Sequence, residues 1–91
     1  MFERVISLVG ESNFKKIQNT TVLVVGLGGV GGYAIESLVR SGIGNLILID
    51  HDTVDITNLN RQIISLQENI GRDKVTVCKE RMLSINPTCS I

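Results

Sequence analysis

The chain has 91 residues, nine of them basic and nine acidic, so its formal charge is zero. That length holds one small domain at most, and that balance excludes a strongly basic nucleic-acid module and an acidic disordered tail. No run approaches the roughly 18 apolar residues of a membrane span, Met1-Phe2-Glu3-Arg4 makes a poor secretory leader, and two cysteines without metal-ligand spacing suit a reduced cytoplasmic setting.

Residues 1–19 are amphipathic and predict a short helix, a break at Gly10 and a second helix over Glu11 to Gln18 carrying Phe14 and Ile17. Thr20 to Val25 is β-branched and nearly all apolar, the pattern of a strand buried on both faces of a parallel sheet. Gly26 to Gly32 is a turn that glycine makes at little steric cost. A helix over roughly residues 30–41 follows, with Val30, Ala34 and Leu38 in one row and Ile35 and Val39 beside it. Leu46 to Ile49 predicts a second strand ending at Asp50, and residues 51–62 form a polar loop. A last helix runs from about Asp73 to Ile85, with Val75, Cys78, Met82 and Ile85 on one face, until Asn86-Pro87 stops it. Cys89 to Ile91 looks like the opening of a third strand.

Strands alternating with helices predict an α/β fold: the N-terminal half of a Rossmann-like, doubly wound parallel sheet (β-α-β-α-β) with short helices before it. Residues 1–19 form the N-terminal helical segment and residues 20–91 the first half of a nucleotide-binding domain. Such a half-sheet would leave an exposed apolar edge, so a longer chain is expected, with these residues alone catalytically inactive.

Gly26-x-Gly28-x-x-Gly31 lies between a strand and a helix. Gly26 permits the tight turn, Gly28 lets a phosphate approach the backbone, and Gly31 lets the helix pack close. Helix N–H groups would then face an anion. Asp50 lies 24 residues after Gly26, where a carboxylate accepts hydrogen bonds from ribose hydroxyls. The pattern implies a nucleotide and leaves NAD and ATP both open.

The stretch from Asp50 to Gln62 gathers acceptors, amides and Arg61 at the carboxyl end of the strands, where ligands bind in open α/β sheets. Arg61 offers a fork for phosphate oxygens. Arg72 and Lys74 both stand at the start of the last helix, where cations oppose the helix dipole unless a polyphosphate lies near. Asp52 and Asp55 read as solvated turn carboxylates rather than ligands of a resident metal, His51 as a loop histidine, and Cys78 and Cys89 as buried structural thiols.

GLGGVGG, then LIDHDTVDITNLNRQ, then GRDK at this spacing resemble the ThiF, MoeB and HesA relatives of the ubiquitin-activating-enzyme-like superfamily. Within it, the N-terminal Arg4 to Glu11, the stretch Glu36 to Gly44, Asn58-x-Asn60-Arg61-Gln62 and Ile85-Asn86-Pro87-x-Cys89 are most similar to the tRNA threonylcarbamoyladenosine dehydratases. Gly32 departs from that branch, which usually has Ser there. The resemblance implies activation of a carboxylate as an acyl-adenylate by ATP and Mg2+, then ring closure with net loss of water.

It also implies the roles. Gly26, Gly28, Gly29 and Gly31 would line the phosphates; Asp50, with Asp52 beside it, would hold the ribose side of the site; Asn58, Arg61, Gln62 and Lys74 would contact the triphosphate. Arg61 and Lys74 would stabilise charge developing at the α-phosphorus. Arg4 is a weaker candidate for reaching a partner's ATP across a homodimer. The substrate would be tRNA or a small carrier protein, with no membrane involved. Two alternatives stay open: a sulfur-carrier or ubiquitin-like protein adenylyltransferase of the ThiF/MoeB type, and an NAD-binding Rossmann fragment.

Overall fold

Two parallel strands joined by a helix form the centre of the molecule, and the computed structural model describes residues 1–91 throughout. Strand β1 (Thr21–Val25) and strand β2 (Asn45–Ile49) pair in register, Thr21 opposite Asn45 and Val25 opposite Ile49. Parallel strands need a crossover, and helix α3 (Val30–Arg40) supplies it. Before the sheet lie α1 (Glu3–Val9) and α2 (Glu11–Gln18); after it come one-turn 3-10 helices at Ile56–Asn58 and Gln67–Asn69, then α4 (Lys74–Ile85). The chain end lies along β2 on the side away from β1: the Leu46 amide donates to the Ser90 carbonyl at 2.7 Å. The spatial order, third segment then β2 then β1, is that of the first half of a Rossmann sheet.

The strands are not buried on both faces as their composition predicts. Val22, Val24, Leu46 and Leu48 pack on the core with α3 and α4. Leu23, Val25, Ile47 and Ile49 point the other way and are 50 to 72% exposed. Both long helices pack on one face, so alternate strand residues divide between core and open surface. Continuous apolar composition marks residues able to be buried twice; the elements at hand cover one side.

Helix α3 buries only part of the wide apolar face expected of Val30, Ala34, Leu38, Ile35 and Val39. Gly32, Ile35 and Val39 face inward, while Val30 and Ala34 are exposed and Leu38 is half-buried. The first turn of α3 stands over the glycine turn, and Gly32 brings the helix against Ile63 and the Leu27 carbonyl. On α4 the buried face gains Val77 and, unusually, Lys74.

The N-terminal hairpin packs through Phe14, which lies against Gly42 and 5.5 Å from the Phe2 ring. Gly44 lies so close to the Gln18 carbonyl that a Cβ there would overlap it, which ties the hairpin to the start of β2. Glu36 on α3 clasps Arg81 on α4 at 2.7 Å, with Arg40 at 3.4 Å on its other oxygen.

The Arg81 hydrogen bond holds the Glu36 carboxyl below the ordinary glutamate value. A lowered folded pKa means the clasp stabilises fully above the unfolded value and is lost as pH falls through the folded one. Glu36→Gln therefore flattens the fall of stability below about pH 4, measured as urea midpoint against pH. The Cys78 thiol is buried and pushed up to about 11, so iodoacetamide at about pH 8 leaves it unmodified until the chain is unfolded.

Candidate functional site

The turn after β1 is fixed by backbone geometry. Gly26 has φ +87°, in the left-handed region that favours glycine, and its amide still donates to the Ile49 carbonyl. Leu27 then drops its side chain wholly into the core while its amide donates to Asp50 Oδ2 at 2.8 Å. Gly29, also at positive φ, precedes α3, and a Cβ on Gly31 would overlap the Gly26 carbonyl. The close helix expected of Gly31 is thus present. The backbone amides of Gly28, Gly29 and Val30 donate to no group of the chain. They stand at the N-terminus of a helix without a side-chain cap, where the dipole and free donors favour an anion.

Gly28 serves a second purpose. The amide of Gln62 lies over it, its Nε2 only 2.7 Å from where a Cβ would be. Gln62 is 9% exposed, and its Oε1 is buried without a hydrogen-bond partner. A buried acceptor left unpaired costs roughly 1–3 kcal/mol, an arrangement suited to a ligand that completes it.

Asp50 ends β2. Its Oδ1 accepts from the Asp52 amide at 2.8 Å while Oδ2 holds Leu27. Burial pushes its carboxyl up, but the two amides and the Lys74 charge outweigh that and leave it below the ordinary aspartate value. Asp52 to Val54 then runs antiparallel to Gly71 to Lys74: Val54 donates to the Arg72 carbonyl, Gly71 to Val54, and Lys74 to Asp52. This short ribbon, invisible in composition, sets the start of α4 beside the end of β2. Lys74 is consequently buried, its side chain 7% exposed and its Nζ 4.0 Å from Asp52 Oδ2. A cavity of about 310 Å³ opens next to Asp50, lined by Val25, Gly26, Ile49, His51 and Asp52. The largest of three cavities, about 510 Å³, lies along α4, lined by Leu66, Arg72 and Ser84 among others, and touches none of these groups.

The other expected residues are placed differently. Asn58 is buried and accepts from the Asp55 amide through Oδ1, while Asp55 accepts from Thr57, a reciprocal cap of the 3-10 turn. Its Nδ2 is left to donate elsewhere. Arg61 is exposed and folds back on its own turn, donating to the Thr57 carbonyl at 2.7 Å and to Asn60. Arg72 binds Glu80 and Asn69 and points along α4, so its charge at the helix start is offset by a carboxylate of the chain. Sequence reasoning missed the Leu27 amide and the Gln62 packing, because neither has a signature beyond the glycines that make room for them.

The profile of the ThiF family matches residues 2–91. The chain belongs to the ThiF family. It is 44% identical over 90 residues to the tRNA threonylcarbamoyladenosine dehydratase of Bacillus subtilis, covering 99% of this chain and 35% of that protein. It is 41% identical over 86 residues to a probable molybdopterin-synthase adenylyltransferase of Porphyra purpurea, covering 94% of this chain and 22% of that one. The crystal structure of the Escherichia coli tRNA N6-threonylcarbamoyladenosine dehydratase in complex with ATP superposes with a TM-score of 0.94 at 45% identity, over 98% of this chain and 37% of that chain. This chain therefore spans about a third of the length of the dehydratases it matches.

The residues fit the phosphates and ribose of such a nucleotide: three free amides, a buried cation and a carboxylate facing an open cavity. They fit a resident divalent ion poorly. Asp50, His51 and Asp52 come within 4.8 Å of one another, but Asp50 is engaged by two amides and Lys74 faces Asp52.

The two glycines should separate on substitution. Gly28→Ala meets only the movable end of Gln62 and costs about 1 kcal/mol, whereas Gly31→Ala meets backbone and costs about 3 kcal/mol or more, read as urea unfolding midpoints.

Proposed function

We propose that this chain is the nucleotide-binding part of an ATP-dependent adenylating enzyme of the tRNA threonylcarbamoyladenosine dehydratase type. The observation that carries the reading is the buried Lys74 tied through Asp52 and Asp50 to a glycine turn with three unpaired amides. A buried cation at a helix start gains most from a polyanion, and a dinucleotide without a triphosphate makes less use of it.

In this reading the ribose hydroxyls meet Asp50 at the cavity beside β2, and the phosphates run over Gly28, Gly29 and Val30. Gln62, the Nδ2 of Asn58 and Lys74 hold the triphosphate. Arg61 leaves the Thr57 carbonyl and turns its fork to phosphate oxygens. The carboxylate of the threonyl group attacks the α-phosphorus and pyrophosphate departs. The cations and amides stabilise the charge gathered there. The carbamoyl group then closes on the activated carbonyl and AMP leaves, a net loss of water from the tRNA nucleoside. Mg2+ arriving with ATP would screen the triphosphate. A cytoplasmic, homodimeric ligase acting on tRNA completes the proposal.

A second reading, adenylation of a sulfur-carrier or ubiquitin-like protein, is favoured by the similarity to the Porphyra adenylyltransferase. It uses the same nucleotide site with a different carboxylate.

Calorimetry of ATP with Mg2+ against NAD tests the common part. ATP binds, NAD does not, and Arg61→Ala weakens ATP about tenfold or more, the size of a lost charge-assisted contact. Lys74→Met has at least as large an effect. NAD binding that ignores Arg61 overturns the proposal.

A further inference from the structure

Asp50 has two oxygens, and backbone amides from two different connections already occupy one lone pair on each: Leu27 from the glycine turn and Asp52 from the polar loop, both at 2.8 Å. Leu27 is held at both ends, its side chain fully buried in the core and its amide on Asp50. The next amides along the chain are the free donors of Gly28, Gly29 and Val30.

We propose that Asp50 is a positioning residue for the glycine turn, presetting the phosphate-facing amides before any nucleotide arrives, in addition to meeting a ribose. The two duties are compatible, because each carboxylate oxygen keeps a lone pair for a hydroxyl. The binding arm of this inference rests on the nucleotide reading above; the structural arm does not.

The two roles differ in what they need from the ligand. A ribose contact matters only to ligands that carry a ribose. A preset turn matters to any polyphosphate. Electrostatics sharpen the contrast: removing the Asp50 charge lessens repulsion of a polyanion, so weaker tripolyphosphate binding in Asp50→Ala reports lost geometry. Alanine carries no acceptor, so it holds neither the Leu27 nor the Asp52 amide. Lys74, His51 and Asp52 are the other charged or titratable groups about the site and stay unchanged in the variant.

The experiment compares wild type with Asp50→Ala. In the free protein, hydrogen exchange at the Leu27 amide rises at least about tenfold, the size of one lost charge-assisted hydrogen bond, while core amides of α4 keep wild-type protection. Inorganic tripolyphosphate, which has no ribose, weakens along with ATP. Unchanged Leu27 protection, or tripolyphosphate binding that holds or tightens, overturns the proposal. Should the variant fail to fold, the wild type decides: the Leu27 amide shift follows Asp50 protonation at a pH below the ordinary aspartate value, and a flat Leu27 shift overturns the inference. If the wild type binds neither ligand, the nucleotide reading falls, and Leu27 exchange alone rules on the positioning role.

Discussion

The parallel pairing of β1 with β2 imposes the constraint on which the rest of the molecule depends. Both strands end at one edge, and the chain must leave that edge twice, through the glycine turn and through the polar loop. Each departure frees backbone amides that no ladder can take up. Leu27 and Asp52 find their acceptor in the Asp50 carboxylate, placed between them by the register. Gly28, Gly29 and Val30 find none within the chain, and free donors at a helix start favour an anion.

The polar loop answers a second constraint, the burial of charge. Lys74 opens α4 inside the protein, where its cation would be costly alone. The antiparallel ribbon of Asp52–Val54 with Gly71–Lys74 brings a carboxylate to it. Asn58 and Asp55 cap each other through short-range bonds within the loop. Gln62 is the exception, with a buried oxygen that lacks a partner, and it lies over the glycine turn where a ligand would supply one.

Much of this was legible in the residues. The four helices and two strands were placed to within a residue or two, because Gly10, the glycine turn, the Gly42-Ile43-Gly44 corner and Asn86-Pro87 punctuate the chain; the 3-10 turns at Ile56–Asn58 and Gln67–Asn69 were not, and the expected third strand is a single bridge from Ser90 to Asn45. The glycine turn and Asp50 were placed together at the carboxyl edge of the strands, where Leu27 donates to Asp50. Faces were less legible. The expected apolar face of α3 joined Val30, Ala34 and Leu38 to Ile35 and Val39, and only the strip of Gly32, Ile35 and Val39 is buried. A glycine that allows close approach carries no hydrophobic weight, yet Gly32 is what turns the helix inward.

The sequence by itself determined the order of elements, the positive-φ turn and the chemical inventory of the carboxyl edge, since these follow from local backbone preference and residue type. Only the tertiary structure decided how each cation is partnered. Arg61, Arg72 and Lys74 all lie free in the sequence, but Arg72 is captured by Glu80 eight residues on, Arg61 donates to the Thr57 carbonyl of its own turn, and Lys74 alone of the three is buried beside Asp52. Partnership between charges depends on distances through space, and sequence separation does not encode them.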